Sequence, residues 1–261
     1  MNYSTIVLMT DFGLADVYVG QMKGVIDKIN PNVKVIDLTH DVQPFNVRQA
    51  GFILKNSYKY FCQGTIFICV VDPEVGSGRE SICIETEDYL FLAPNNGLLT
   101  YLLDELRINQ IIKIDNLKYN ANEVSNTFHG RDVFAVAGGY LSKGIKLEEI
   151  GSSFDISLVK KSESLMVRKF ANKVVGEIVY SDRFGNIVTS IHRKDLPKEY
   201  EKLEIRINEF ELQKICKTFS DVKVGELLAY IGSMEYLEIA VREGRASDLF
   251  RVETSIKLIW E

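Results

Sequence analysis

The sequence predicts an α/β protein: an N-terminal α/β domain with a central, mainly parallel sheet, plus a smaller C-terminal all-β, barrel-like domain. Two observations carry that reading. Over the first part of the chain, short apolar runs alternate with stretches of helical period, which is how βα units read in sequence. Past residue 170, short strand-like runs and turn residues follow one another without a long helix, as in a sandwich or barrel. A third observation separates the two: the period is lost over residues 152–164, which carry Lys160-Lys161. The expected division is therefore a domain over 1–155, a linker over 156–170 and a domain over 171–261.

The elements follow in order. Residues 6–10 are an apolar run ending at Asp11, a first strand. Residues 17–29 place Val17, Met22, Val25, Ile26 and Ile29 on one helical face, and Asn30-Pro31 ends the helix. Residues 33–38 are the next strand, 47–61 a helix and 65–71 a third strand. Residues 81–87 and 89–93 read as strands about a tight turn at Glu87-Asp88. Pro94-Asn95-Asn96-Gly97 is a strong turn signal before a short helix at 98–106, a strand at 110–114 and a helix at 131–141. The C-terminal strands are expected at 174–180, 187–191, 203–207, 211–216, 227–231, 236–241 and 255–259.

The totals exclude several classes. Hydrophobic residues are 46% of the 261, enough for a packed core. Lys and Arg number 31 against 36 Asp and Glu, a net charge of −5 that argues against a nucleic-acid partner, which a basic face normally serves. No apolar run approaches the ~20 residues of a membrane span, and the N-terminus reaches Asp11 too early for a signal peptide. Cys62, Cys69, Cys83 and Cys216 show no CxxC spacing, so a reduced, cytoplasmic protein without structural zinc is expected.

Ligands of an open parallel sheet bind beyond the carboxyl ends of its strands. Three successive strands here end in acidic residues: Asp11, then the run Asp37 to Asp41, then Asp72. Asp is also a common turn residue and helix cap, yet three at one sheet edge point to a ligand site. The P-loop pattern and the GxSxG elbow are absent, and Gly76-Ser77-Gly78 precedes a strand rather than the helix a dinucleotide fingerprint needs. Asp37, His40, Asp41, Asp72 and His129 are metal-ligand types, so a metallohydrolase is a rival, although the chain has three histidines and no i,i+4 pair. Residues 127–132 lie at a helix start; they serve either as a turn capped by Thr127 or as a carrier that turns His129 toward Asp72 and Arg79. Residues 181–186 read as a hairpin with Gly185 at positive φ, which leaves Phe184 unexplained unless it stacks on a ligand or a neighbouring subunit.

Several motifs occur in order: TDFG (10–13), DLTHDVQPFNV (37–47), VDPEVGSGR (71–79), APNNGLLT (93–100), TFHGRDVFAVAG (127–138), DRFGN (182–186) and LEIAV (237–241). Together they resemble the S-adenosyl-L-methionine (SAM) hydroxide adenosyltransferases, the SAM hydrolases related to fluorinase and chlorinase, over nearly the whole chain. The resemblance implies an N-terminal α/β domain, a C-terminal β-barrel and a homotrimer, with SAM between the N domain of one subunit and the C domain of the next. It implies attack of water or hydroxide at C5′ of SAM, giving adenosine and L-methionine. The family's catalytic set falls on Asp72, Arg79 and His129. Halogenating relatives carry tyrosine at the position of Asp72, which weighs against halide use here. SAM is then the substrate, no cofactor and no metal being implied.

For binding, the resemblance assigns Asp11 to the ribose hydroxyls, Phe45 to the wall beside the ribose, and Phe128 to the binding set. It sets Phe184 and Phe219 against the adenine, Asn186 at its polar edge, and Asp182 and Ser233 at the methionine end. In one departure, Met234 stands where fluorinase has an arginine that anchors the methionine carboxylate. Two other readings stay in view: a SAM-dependent halide adenosyltransferase, and a protein that binds SAM or adenosine without turnover.

Overall fold

A computed structural model describes residues 3–199, 203–252 and 254–260. The chain divides into two compact units, Met1–Ser162 and Glu163–Glu261.

The first unit opens with β1 (Thr5–Thr10), α1 (Tyr18–Ile29), β2 (Lys34–Thr39), α2 (Val47–Ser57) and β3 (Thr65–Val70). It continues with β4 (Ser81–Thr86), β5 (Tyr89–Pro94), α3 (Thr100–Leu103) and β6 (Ile108–Lys113). A π-helical turn over Gly130–Ala135 runs into α4 (Val136–Ser142), and α5 (Leu147–Ile150) and β7 (Ser152–Ser153) follow. The seven strands form one sheet in the order β2-β1-β3-β5-β4-β6-β7. β2, β1, β3 and β5 are parallel; β4 pairs antiparallel with β5, β6 antiparallel with β4 and β7 antiparallel with β6.

Alternation along β1 shows how two faces are covered. Ile6 and Leu8 join Met22 and Ile26 of α1 and Phe134 and Ala137 of the π/α4 helix in one apolar cluster. Val7 and Met9 join Ala50 and Leu54 of α2 with Phe67 and Phe91 in the other. Phe67 and Phe91 stack with ring centres 5.1 Å apart. Fully burying each such side chain stabilises by about 1.5–3 kcal/mol. Asn46 caps α2, its side chain accepting from the Gln49 N–H at 2.9 Å, which satisfies one of the helix's orphan donors. The register sets Met9 opposite Thr39 and Thr10 opposite Val70. The carboxyl ends of β2, β1 and β3 therefore share one edge.

The second unit comprises β8 (Arg168–Phe170), β9 (Lys173–Ser181), β10 (Ile187–His192), β11 (Glu204–Ile207) and β12 (Phe210–Leu212). β13 (Ile215–Cys216), β14 (Leu227–Ile231), β15 (Tyr236–Val241) and β16 (Ser255–Ile259) complete it. The order is β12-β11-β16-β9-β10-β15-β14-β13, with β8 also on β9. The nine-residue β9 pairs with β16 and β8 along its first half and β10 along its second, so the sheet curls into a nearly closed barrel. Its core includes Ile178, Ile191, Leu237, Ile239 and Ile256.

Several expectations change. Val17 is exposed, because it precedes the first helical residue rather than lying on the buried face. The helix expected at 98–106 is a single turn. The strand expected at 211–216 is two: Phe210–Leu212 pairs antiparallel with β11, and Ile215–Cys216 pairs parallel with β14. Residues 168–170, expected as linker, form β8. Among the described residues no helix is long and apolar enough to cross a membrane.

Candidate active site

The loop after β3 folds back on itself in three steps. The Glu74 N–H donates to Asp72 Oδ1 at 3.3 Å, an Asx turn, and the Ser77 N–H donates to the Glu74 carbonyl at 3.0 Å. The Arg79 N–H then donates to Ser77 Oγ at 3.2 Å. Gly76 sits at φ +79°, where a side chain is strained, and a Cβ there would lie 2.3 Å from the Asn126 carbonyl oxygen. This path returns the Arg79 side chain to Asp72.

Arg79 and Asp72 are almost fully buried side chains. Arg79 Nε donates to Asp72 Oδ2 at 2.8 Å, and Nη2 donates to the same oxygen. The grip is therefore one-sided: Oδ2 takes both donors and, among the described residues, Oδ1 takes only the long bond from Glu74. Nη2 also meets His129 Nδ1 at 2.9 Å. Nη1 donates to Ser81 Oγ at 2.8 Å and to the Glu80 carbonyl at 3.3 Å, and the guanidinium lies 5.6 Å from the Phe134 ring centre.

A guanidinium only donates, so His129 Nδ1 accepts and the neutral ring carries its hydrogen on Nε2. Burial lowers the His129 pKa below its ordinary value, and the Arg79 charge lowers it further, while Asp72 and Asp132 act in the opposite sense. His129 immediately precedes the wide π turn that starts at Gly130, where an added Cβ would lie 3.3 Å from each of Met22, Phe12 and Phe128. Thr127 does not cap this helix; its N–H donates instead to Ser125 Oγ.

The edge of β1 adds Asp11. Its Oδ2 accepts the Phe45 N–H at 2.8 Å, and Phe45 adopts φ +67°, a strained conformation for an aromatic residue. Burial raises the Asp11 carboxyl above its ordinary value and the nearby Asp72 charge adds to this, against the Phe45 hydrogen bond. The Phe45 ring is exposed. Phe128 is buried instead, edge-on to Phe12 at 5.8 Å and Tyr18 at 5.2 Å, with the Arg131 guanidinium 5.0 Å from its ring centre.

Other ligand-type residues are committed elsewhere. Buried His40 binds Thr10 Oγ1 through Nδ1 at 2.8 Å, and its Nε2 lies 3.0 Å from Asp37 Oδ1. Asp37 pairs with Lys23 at 2.6 Å. The Gly13 N–H donates to the His40 carbonyl at 2.8 Å, so this network fixes the turn that carries Asp11. Among the described residues no group of three or more His, Cys, Asp or Glu side chains gathers as a metal would require.

In the second unit a cavity of about 930 Å³ is lined by Asp182, Phe184, Asn186, Phe219, Ser233 and Met234, among others. Thus five residues expected at a ligand face one space. Gly185, at φ +85°, makes the turn that leaves Phe184 exposed, and its carbonyl accepts the Ser247 N–H at 2.9 Å. Asp182 accepts from Asn186 twice, from the backbone N–H at 2.8 Å and from Nδ2 at 2.9 Å. The Phe219 and Tyr230 rings lie 4.9 Å apart.

Tyr180, Tyr230, Glu238, Arg242 and Arg245 line the same cavity and were not singled out in the sequence. The sequence signal was there for one of them: Glu238 interrupts the apolar run Leu237–Val241. The Ser81 and Glu80 contacts of Arg79 and the Thr10–His40 bond carry no comparable signal.

A mainly parallel sheet with Asp11 and Asp72 at its strand ends, Arg79 and His129 brought to Asp72 by the neighbouring loops, and a curled β unit with an aromatic cavity make a two-unit α/β-plus-β protein. The chain matches the SAM hydroxide adenosyltransferase N-terminal domain over residues 6–151 and the C-terminal domain over residues 176–258. It belongs to the SAM hydroxide adenosyltransferase family. It is 36% identical over 262 residues to the (R)-S-adenosyl-L-methionine hydrolase of Methanocaldococcus jannaschii, covering 95% of this chain and 92% of that protein. It is 27% identical over 268 residues to a fluorinase of an Actinoplanes species, covering 90% of each. A crystal structure of an uncharacterized conserved protein from Thermotoga maritima superposes with a TM-score of 0.90 at 36% identity, covering 97% of this chain and 99% of that one.

Proposed function

We propose that this chain hydrolyses SAM to adenosine and L-methionine by in-line attack of water at C5′. The observation that carries the reading is the buried Asp72–Arg79 pair with half-buried His129 hydrogen-bonded to it at the sheet edge, in a chain that shares most of its length with proteins named SAM hydrolases. The name of those relatives extends the reading to the R epimer at sulfur.

The bookkeeping of the step is simple. The water oxygen forms a bond to C5′, the C5′–S bond breaks, and its electron pair goes to sulfur, which leaves as the neutral thioether of methionine. No general acid is needed; only the nucleophile must be prepared. Arg79 loads Asp72 Oδ2 twice, so Oδ1 is the acceptor for the water's proton. His129, neutral with hydrogen on Nε2, donates to the water oxygen, and the arginine charge favours hydroxide character. General-base assistance contributes about 10²–10⁴ in rate, and alignment of water, C5′ and sulfur contributes more. The buried pair also keeps the nucleophile poorly hydrated.

In this reading Asp11 accepts from the ribose cis-diol, with Phe45 and Phe128 on the N-terminal side of the pocket. Phe184 and Phe219 stack on the adenine. Asn186 spends its amide nitrogen on Asp182 and so offers its carbonyl, an acceptor suited to adenine's exocyclic amine. Asp182 and Ser233 take the methionine end. The protein works in the cytoplasm in this reading, and the two half-sites meet across subunits of a homotrimer; the exposure of the Phe45 and Phe184 rings, 70% and 75%, supports the second point.

The fluorinase relatives raise halide transfer as a second reading. Asp72 weighs against it, because a carboxylate beside the nucleophile repels an anion. The test is incubation with each resolved epimer of SAM, with and without chloride or fluoride. Adenosine and methionine in both conditions support the proposal. A 5′-halo-5′-deoxyadenosine product, or binding without any product, sinks it.

A further inference from the structure

A second carboxylate beside Asp182, that of Glu238, lines the cavity of the second unit. Leu237 and Ile239 of β15 point into the barrel core, so Glu238 stands on the opposite face. There the register sets four residues in a row across four strands: Tyr180 opposite Val188, Val188 opposite Glu238, and Glu238 opposite Tyr230. All four line the cavity. Glu238 is only 7% exposed, unusual for a glutamate on an outward sheet face.

Its surroundings are built around it. The Tyr230 hydroxyl donates to Oε2. Oε1 lies against Gly232, where a Cβ would stand 1.8 Å from it, so any larger residue there displaces the carboxylate. Ser233 and Met234 follow directly in the chain and line the same cavity. No cationic side chain pairs with Glu238 among the described residues. Arg242 donates to the Val222 carbonyl and Arg245 to the Arg183 carbonyl. Burial pushes the carboxyl up and the Asp182 charge adds to this, against the Tyr230 hydrogen bond. A buried carboxylate without a partner cation is costly, and a cationic ligand removes that cost.

We infer that Glu238 is a specificity-determining residue that receives the α-ammonium group of the ligand's methionine moiety. The inference rests on the SAM-hydrolase reading. With methionine rather than arginine at position 234, this end of the cavity selects its ligand by the ammonium more than by the carboxylate.

The experiment has two arms. In the first, L-methionine, 3-(methylthio)propan-1-amine (no carboxylate) and 4-(methylthio)butanoate (no ammonium) are titrated calorimetrically into the unmodified protein. The amine should bind within about threefold of methionine and the acid at least about 10-fold more weakly; the reverse order overturns the inference. In the second, KM and kcat for SAM are measured for Glu238→Gln and Glu238→Asp. Glu238→Gln should raise KM about 10- to 100-fold with kcat within a few-fold, and Glu238→Asp should recover part of the loss. An unchanged KM in Glu238→Gln overturns it. If the unmodified protein releases no adenosine at all, the hydrolase reading fails instead, and the first arm still decides the ammonium site.

Discussion

Replacing Arg79 by lysine isolates what the guanidinium geometry contributes, because the charge stays. Arg79 makes five contacts: two to Asp72 Oδ2 and one each to His129 Nδ1, Ser81 Oγ and the Glu80 carbonyl. A lysine offers three hydrogens from one nitrogen and cannot span that fan. It can follow Asp72 and one further acceptor, so at least two hydrogen bonds from a charged donor are lost. At about 1.5 kcal/mol each, the N-terminal unit loses about 3 kcal/mol, and its melting midpoint falls by roughly 6–12 °C. His129 loses the donor that fixes its tautomer, and Asp72 Oδ1 is no longer the only oxygen left open. The rate should therefore fall by about 100-fold or more, with KM for SAM little changed. Scanning calorimetry and chromatographic assay of adenosine read both effects. An Arg79→Lys protein that melts within about 2 °C of the parent and turns over within about threefold would refute the assigned network.

Three further outcomes are expected. In the proposed mechanism the neutral His129 ring is the working form, and its pKa is lowered, so activity should be complete at neutral pH and be lost only as pH falls through that lowered value. A kcat–pH profile should place the acid limb below the ordinary histidine value of about 6.5, and a limb at or above it contradicts the role given to Arg79. Asp11→Asn keeps an oxygen for the Phe45 N–H but loses the charge proposed to face the ribose. It should raise KM about 10- to 100-fold with a smaller effect on kcat, measured by initial rates. Gly76→Ala forces a Cβ to 2.3 Å from a carbonyl oxygen at positive φ, which costs about 1–2 kcal/mol in backbone strain alone, and should lower both melting temperature and kcat. Gly78→Ala, with nothing within 4 Å of the added atom, is the matched control and should leave both nearly unchanged.

The parallel sheet was legible because apolar runs and helical stretches alternate, and because Ile6, Val7, Leu8 and Met9 are all apolar, as a strand covered on both faces demands. The acidic strand ends were legible for the same reason: each interrupts an apolar run. Partner choice was not. Residues 211–216 look like one strand, yet they change from β11 to β14 at Gln213-Lys214, a decision made by distant strands. Motif resemblance placed Asp72, Arg79 and His129 together, but not the one-sided grip on Oδ2, which depends on how the Gly76 turn delivers the guanidinium. Glu238 interrupts the apolar run Leu237–Val241, but by itself a single polar residue in a strand also reads as an ordinary solvent-facing position. Only the cross-strand row of Tyr180, Val188 and Tyr230 shows that it is covered.

In the proposed mechanism Asp72, Arg79 and His129 deliver a water molecule to C5′. Turnover of SAM in ¹⁸O-labelled water, with mass spectrometry of both products, tests it most directly. One ¹⁸O is expected at O5′ of adenosine with unlabelled L-methionine, and the labelled product should be lost in Asp72→Ala and His129→Ala while SAM binding persists. Unlabelled adenosine, methylthioadenosine as the nucleoside product, or full activity in both variants would contradict it.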